Sequence, residues 1–222
     1  MPIQSTQNNR PLLPEPTLRR LPWYLAYVSM LKVQNVEYVS STTISRKLNV
    51  DSSQIAKDLS FLNIKGKTRI GYDVATLERS LRDFLGFKTE HNAVIMGVGS
   101  LGSALIADSG LHRYGLNIVA GFDINPELGN VSSSGIPVYH PSELQERLMG
   151  LNAEIGIITV PAESAQDVAD QLVHAGIRAL WNFTPYRIRT EEGVVIANTS
   201  IYAHLAVMYN RLGMMNHNND NG

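Results

Sequence analysis

Ala93-Val94-Ile95-Met96-Gly97-Val98-Gly99-Ser100-Leu101-Gly102 runs from a buried apolar segment into a glycine-punctuated turn and then into a helical pattern. The run Ala93–Met96 reads as a strand, so G-x-G-x-x-G falls directly behind a strand and at the opening of a helix. In that setting Gly97 permits the tight turn, Gly99 lets the backbone approach a pyrophosphate, and Gly102 lets the helix pack close to the strand. The helix N-terminus supplies the N–H groups that hold the anion, and Gly97, Val98, Gly99, Ser100, Leu101 and Gly102 are the expected cofactor contacts. A second strand, Ile118–Phe122, ends on Asp123, about 20 residues past the third glycine, where a carboxylate accepts both ribose hydroxyls of an adenosine and repels the 2′-phosphate of NADP. The plainer role open to Asp123 is to cap the turn before Asn125-Pro126.

Outward from this pair the elements alternate. Strand-like runs are Ile136–Tyr139, Ile155–Val160, Ala179–Phe183 and Val194–Ala197, with helical stretches around Leu101–His112, Ser142–Met149 and Ala162–His174. That rhythm predicts an α/β fold with a parallel sheet and helices on both faces. Two later strand ends, Val160-Pro161-Ala162 and Asn182-Phe183-Thr184-Pro185, point to the crevice where open α/β sheets bind ligands. Loop chemistry alone also places prolines there.

The first half of the chain reads differently. Met1–Ser80 carries 11 Lys+Arg against 6 Asp+Glu, while Leu81–Gly222 carries 8 against 14. The basic half suits a polyanion. Met1–Pro16, with four prolines, reads as a flexible arm. Helical patterning begins near Pro22, with Leu25, Val28 and Leu31 recurring on one face. Ser40–Val50 is a second short helix. Asp51 caps a third, about Ser52–Leu62, with Ile55, Leu59 and Leu62 inward. Two short helices joined by a tight turn form the helix-turn-helix pattern. On the third helix Ser52, Ser53, Gln54, Lys57, Asp58, Ser60 and Phe61 are expected to face away from the apolar stripe. Its early positions reach base edges. Lys57, with Lys65, Lys67 and Arg69 of the basic hairpin candidate Lys65–Tyr72, suits phosphates or a minor groove. Arg19 and Arg20 suit phosphates or a domain interface. A further helix, about Val74–Leu85, leads to a boundary near His91.

Composition sets outer limits. The 222 residues include no cysteine, which excludes disulfides, thiolate metal sites and cysteine redox sensing. With no long apolar run and a polar N-terminus, a cytoplasmic protein is expected. The six histidines are scattered, without metal spacing and without an obvious carboxylate partner at a sheet edge. Catalysis is therefore poorly supported. A dehydrogenase with an N-terminal accessory domain and a CoA-binding module remain as alternatives.

The halves together resemble the Rex family of redox-sensing transcriptional repressors, through Thr17-Leu18-Arg19-Arg20-Leu21-Pro22, Lys57-Asp58-Leu59-Ser60, Gly71-Tyr72-Asp73-Val74, the glycine fingerprint and Phe122-Asp123. Gly135-Ile136-Pro137-Val138, Val160-Pro161-Ala162 and Asn182-Phe183-Thr184-Pro185 continue the likeness. The resemblance implies an arm over 1–16, a winged-helix DNA-binding domain over 17–86 with Tyr72 at its DNA face, and a Rossmann NAD(H)-binding domain over 91–199. A swapped dimerisation helix over 200–213 and a disordered tail over 214–222 complete the layout. It further implies a homodimer on near-palindromic operator DNA, released when NADH, an allosteric ligand and not a reactant, occupies the Rossmann domain. Departures from the family pattern are Asn63 for a turn glycine, Lys67-Thr68-Arg69 for the wing Lys-Arg-Gly, Ser100 for an asparagine, Asp108 for a tyrosine and Ser200 for an acid. Asp108 is expected to take over the switch by bonding Ser200 of the partner or pairing with Arg19 or Arg20. The plainer alternative is that Asp108 is a solvated helix residue.

Overall fold

The computed structural model describes residues 13–125 and 134–219, with side chains to residue 214. The chain divides into two compact units, Met1–Lys88 and Thr89–Gly222.

In the first unit α1 spans Glu15–Val33, opened by Glu15 in its first turn and a proline there, and closed near Lys32. Both charges oppose the helix dipole ends as they should. The expected start at Pro22 is corrected: Pro22 lies inside the helix. Its missing N–H leaves unpaired only the carbonyl four residues back, at the exposed Leu18, where water can serve it. Of the expected arm, residues 1–12 lie outside the described residues, and Glu15 and Pro16 are already helical.

A short strand β1 (Tyr38–Val39) precedes α2 (Ser41–Leu48), which Ser40 caps by accepting from Thr43 N at 3.0 Å. Asn49, in the left-handed region at φ 53°, turns the chain into α3 (Ser52–Ser60). Asp51 caps α3, accepting from Ser53 N at 2.8 Å and Gln54 N at 3.2 Å. Asn63, in place of the family's glycine, also adopts positive φ. The expected wing hairpin shrinks to one bridge, Lys67 with Gly71. The strand that follows, β2 (Tyr72–Asp73), pairs instead with β1. Gly71 has φ +106°, and a Cβ there would lie 2.4 Å from Val39 O, so only glycine closes this corner. Asp73 caps α4 (Val74–Leu85), which packs against α1. Leu21, Tyr24, Leu25, Ile44, Ile55, Leu59, Leu77 and Leu81 are fully buried in one core. Each large side chain there contributes about 1.5–3 kcal/mol.

The second unit holds strands β3 (His91–Met96), β4 (Leu116–Phe122), β5 (Val138–Tyr139), β6 (Ile155–Ile158), β7 (Ala179–Asn182) and β8 (Val195–Asn198). They form a six-stranded parallel sheet in the order β5-β4-β3-β6-β7-β8. Numbered within the sheet this is 3-2-1-4-5-6, whose order reverses between β3 and β6 and opens a crevice there. One core face packs Val94, Met96, Ala120, Phe122 and Ile158 against Leu144, Leu148, Ala165, Ala169 and Leu172. These last come from α7 (Leu144–Leu151) and α8 (Ala165–His174). The opposite face packs Ala93, Ile95 and Ile157 against Val98 and Ile106.

Three sequence expectations change here. Strand β5 is shorter than Ile136–Tyr139, because Pro137 has no N–H for the ladder. The helix expected over Leu101–His112 breaks into α5 (Ser100–Ala107) and α6 (Ser109–Arg113) at Asp108, whose ψ of 103° is extended. The last helix, α9, runs Ile201–Asn219 and overrides the expected disordered tail from 214 as far as Asn219. No proline interrupts that segment and two methionines favour a helix. No helix among the described residues is long and apolar enough to cross a membrane.

Candidate functional site

The crevice at the switch point has a volume of about 750 Å³. Its floor is the fingerprint loop. Gly97 has φ +94°, and a Cβ on it would come within 2.9 Å of the Thr159 backbone. A Cβ on Gly102 would lie 2.0 Å from Gly97 O, so the start of α5 sits directly on the loop. At Gly99, by contrast, a Cβ would meet no atom of the protein within 4 Å. The fold therefore requires glycine at positions 97 and 102. At 99 the requirement fits a phosphate that must approach the backbone closely. Thr159, absent from the sequence reading, donates to Gly97 O at 2.7 Å and to Met96 O at 3.1 Å, locking the loop to the end of β6.

Asp123 sits beside this loop. Its Oδ2 accepts from Val98 N at 2.7 Å and its Oδ1 from Asn125 N at 2.8 Å. It therefore caps the following turn, the plainer role open to it, and is also fixed against the glycine loop, which leaves it further lone pairs. Gly97, Gly99, Asp123, Val160 and Pro161 all line the crevice. Ser100, Leu101 and Gly102 form the first turn of α5, behind that lining, and Val98 contributes its buried side chain to the core. Asn182, Phe183 and Thr184 are not brought to the crevice wall. Asn182 is fully buried, donating to Tyr186 O at 2.7 Å and to Asn198 Oδ1 at 2.9 Å, and accepting from Thr184 N at 3.0 Å. Phe183 packs on Trp181 with ring centroids 4.5 Å apart. These residues close the turn after β7. Further lining comes from Ser164, just before α8, and from Asp167, Val168 and Gln171 of α8, which carry no sequence signature.

The second candidate surface lies on the first unit. Ser53, Lys57 and Ser60 of α3 are exposed, as are Lys65, Lys67 and Arg69; Ser52, Gln54 and Tyr72 are half-buried. Two residues expected to face outward do not. Phe61 packs against the core, and Asp58 is fully buried. The Asp58 carboxylate is the hub that ties α3 to α1. It accepts from Arg20 Nε at 2.7 Å and Arg20 Nη2 at 2.8 Å. Tyr24 OH donates at 2.8 Å, Gln54 Nε2 at 2.8 Å and Thr17 Oγ1 at 3.1 Å. Burial alone drives its pKa up, but the bonds from Arg20, Tyr24, Gln54 and Thr17 outweigh it and hold the carboxyl below its ordinary range. Burial beside that carboxylate in turn drives the Tyr24 hydroxyl well above its ordinary range. In the wing, Lys67 Nζ donates to Tyr38 OH at 2.9 Å and stands over that ring, 4.9 Å from its centroid, so this ammonium is held in place. Arg46 and Lys47, exposed in the last turn of α2, add basic charge that the sequence reading left unassigned.

The four residues expected to form the switch have local partners. Asp108 caps α6 by accepting from Gly110 N at 2.9 Å, and Ser200 Oγ accepts from Ala203 N at 3.2 Å at the start of α9. Arg20 is committed to Asp58, and Arg19 pairs with Glu15 at 2.7 Å on the surface. Among the described residues no group of histidine and carboxylate side chains is arranged to hold a metal.

Residues 13–60 match the family model described as putative DNA-binding protein N-terminus, and residues 88–186 the model described as CoA binding domain. The chain is 56% identical over 200 residues to the redox-sensing transcriptional repressor Rex of Bacteroides fragilis, covering 90% of this chain and 91% of that one. The corresponding protein of Treponema denticola is 37% identical over 198 residues, covering 88% and 94%. Among solved structures, that of RSP in complex with β-NAD⁺ and operator DNA superposes with a TM-score of 0.87 at 31% identity, covering 94% of this chain and 96% of that one. RSP in complex with β-NADH superposes at 0.84, with 31% identity and coverage of 95% and 99%. With such identity sustained along nine-tenths of its length, the chain belongs to the Rex family of redox-sensing transcriptional repressors.

Proposed function

We propose that this chain represses transcription from operator DNA bound by α3 and the wing, and leaves that DNA when NADH occupies the crevice of the second unit. The observation that carries the ligand assignment is Asp123, fixed to Val98 N directly beside a loop whose Gly99 has open space in front of it. The dinucleotide is a signal here and not a reactant, in keeping with relatives named as repressors. When bound, it is held by the N–H groups of residues 99–102 and by Asp123, beside Val160 and Pro161; the N–H groups of Gly97 and Val98 are already taken, by Phe122 O and Asp123. Phe183, Asn182 and Thr184 act by shaping the turn after β7.

A homodimer is the working form. The described side chains of α9 support it: Ile201, Tyr202, Val207, Met208, Tyr209 and Leu212 are each more than half exposed. So much apolar surface on one helix calls for a protein partner. The operator is then near-palindromic, with one α3 per half-site. We place the protein in the cytoplasm, where both DNA and the NADH pool are found.

CoA offers the same pyrophosphate to the loop, but its 3′-phosphate on the adenosine ribose would face the Asp123 carboxylate, as the 2′-phosphate of NADPH would. NADH is therefore expected to bind at least tenfold tighter than either by calorimetry, and Asp123→Ala to weaken NADH by about 1–3 kcal/mol while narrowing that gap. Equal affinities for NADH and CoA in the wild type would reassign the crevice. For the whole reading, a gel-shift on fragments from the protein's own genome should show a complex that NADH dissolves and NAD⁺ spares. In the same assay Lys57→Ala, Lys67→Ala and Arg69→Ala should each weaken binding and shallow the salt dependence by about one counterion per lost phosphate contact. Unaltered slopes in all three would remove this face as the DNA surface.

A further inference from the structure

We propose that Asp167 reads the amino group of the adenine base while Gln171 holds the base beside it, making the crevice selective for dinucleotides of a 6-aminopurine; this rests on the NAD(H) reading above. In a dinucleotide fold the carboxylate ending the second strand takes the adenosine ribose, so the base lies beyond Asp123, away from the glycine loop. Besides the glycine loop and Asp123, the crevice is lined by the apolar Ile124, Pro141 and Val168 and by the edge of α8. That edge presents Asp167 and Gln171, one turn apart on one helix face.

Both side chains are exposed to the crevice and neither bonds another described side chain. Their neighbours behave otherwise: Gln166 donates to Asp170 at 2.9 Å and to Arg189 O at 2.8 Å, fastening the outer face of the helix. The inner pair is thus left with its full hydrogen-bonding capacity. An ionised Asp167 only accepts, whereas the Gln171 amide can turn to donate or accept. Selection accordingly falls on Asp167. The adenine amino group donates to it, while the 6-oxo group of hypoxanthine would set a carbonyl oxygen against a carboxylate. Gln171 serves either base.

The test compares NADH with reduced nicotinamide hypoxanthine dinucleotide, by calorimetry on the full-length protein. Wild type should prefer NADH about tenfold to a hundredfold, the range of a hydrogen bond to a charged group. Asp167→Ala should weaken NADH, leave the hypoxanthine analogue unchanged or tighter, and abolish the preference. Gln171→Ala should weaken both and keep it. The melting temperature of either ligand-free variant should match wild type, since both side chains lie on the surface. Equal binding of the two dinucleotides by wild type, or an unchanged ratio in Asp167→Ala, overturns the proposal while leaving NADH as the ligand. A wild type that binds no NADH overturns the underlying reading and this one with it.

Discussion

Asp58→Ala should cost the first unit about 3–5 kcal/mol, the usual penalty for breaking a buried ion pair from one side. The carboxylate has no exposed surface, and the Arg20 side chain that clasps it through two nitrogens is 21% exposed. Removing the acceptor strands that guanidinium together with the hydroxyls of Tyr24 and Thr17, all of which donate to Asp58. A small domain holds only about 5–15 kcal/mol in total, so the variant should lose operator binding through a loosened α3. The second unit has its own core, and NADH affinity should persist. Asp58→Asn keeps the shape and removes the charge, which also makes the acid limb informative. A carboxyl whose pKa is depressed in the folded state adds stability in full above its unfolded value, about 3.9, and loses it as pH falls through the folded value. The wild-type melting temperature should therefore drop steeply below about pH 4, and Asp58→Asn, already less stable at pH 7, should show a shallower fall there. A melting temperature and DNA affinity unchanged in Asp58→Ala would show that the hub does not hold α3.

The hub also marks where reading the sequence stops. Periodicity finds Ile55 and Leu59 because apolar faces repeat locally, and by the same logic it sends a charged residue between them to the solvent. The partner that draws Asp58 inward instead is 38 residues away on α1, and only the packing of two helices brings Arg20 to it. Pro22 misled in the opposite sense, marking a start where the helix runs through. The glycine fingerprint, in contrast, was legible because its requirements are local: a positive φ at Gly97 and no room for a Cβ at Gly102 are imposed by the neighbouring backbone. Asp123 was legible for a related reason, since its place at a strand end is fixed by the rhythm of the fold. The α8 wall was not. Asp167 and Gln171 reach the crevice through the crossing of α8 over the sheet, and nothing in their spacing distinguishes them from the outward pair Gln166 and Asp170.

Gly102→Ala should separate ligand sensing from DNA binding more cleanly than any change to a charged residue. The added Cβ would lie 2.0 Å from Gly97 O, far inside van der Waals contact, and 3.1 Å from Thr159 Oγ1. The loop has little freedom to yield, because Thr159 Oγ1 holds that same carbonyl at 2.7 Å while its own backbone N–H is bonded to Met96 O at 2.9 Å. The helix must move instead. Displacing α5 withdraws its first N–H groups from the phosphate position, and the overpacking itself costs about 1–3 kcal/mol. NADH affinity should fall about a hundredfold or more, equivalent to roughly 2.7 kcal/mol. Operator affinity without ligand should remain near wild type, since α3 and the wing belong to the other unit. The variant should then stay on DNA at NADH concentrations that strip the wild type, which a gel-shift titration reads directly. Gly102→Ala combined with Thr159→Ala removes the anchor that pins Gly97 O and should recover part of the lost affinity, a non-additive result expected only of residues in contact. If Gly102→Ala alone binds NADH as wild type does, the close seat of α5 on the loop is not what holds the dinucleotide.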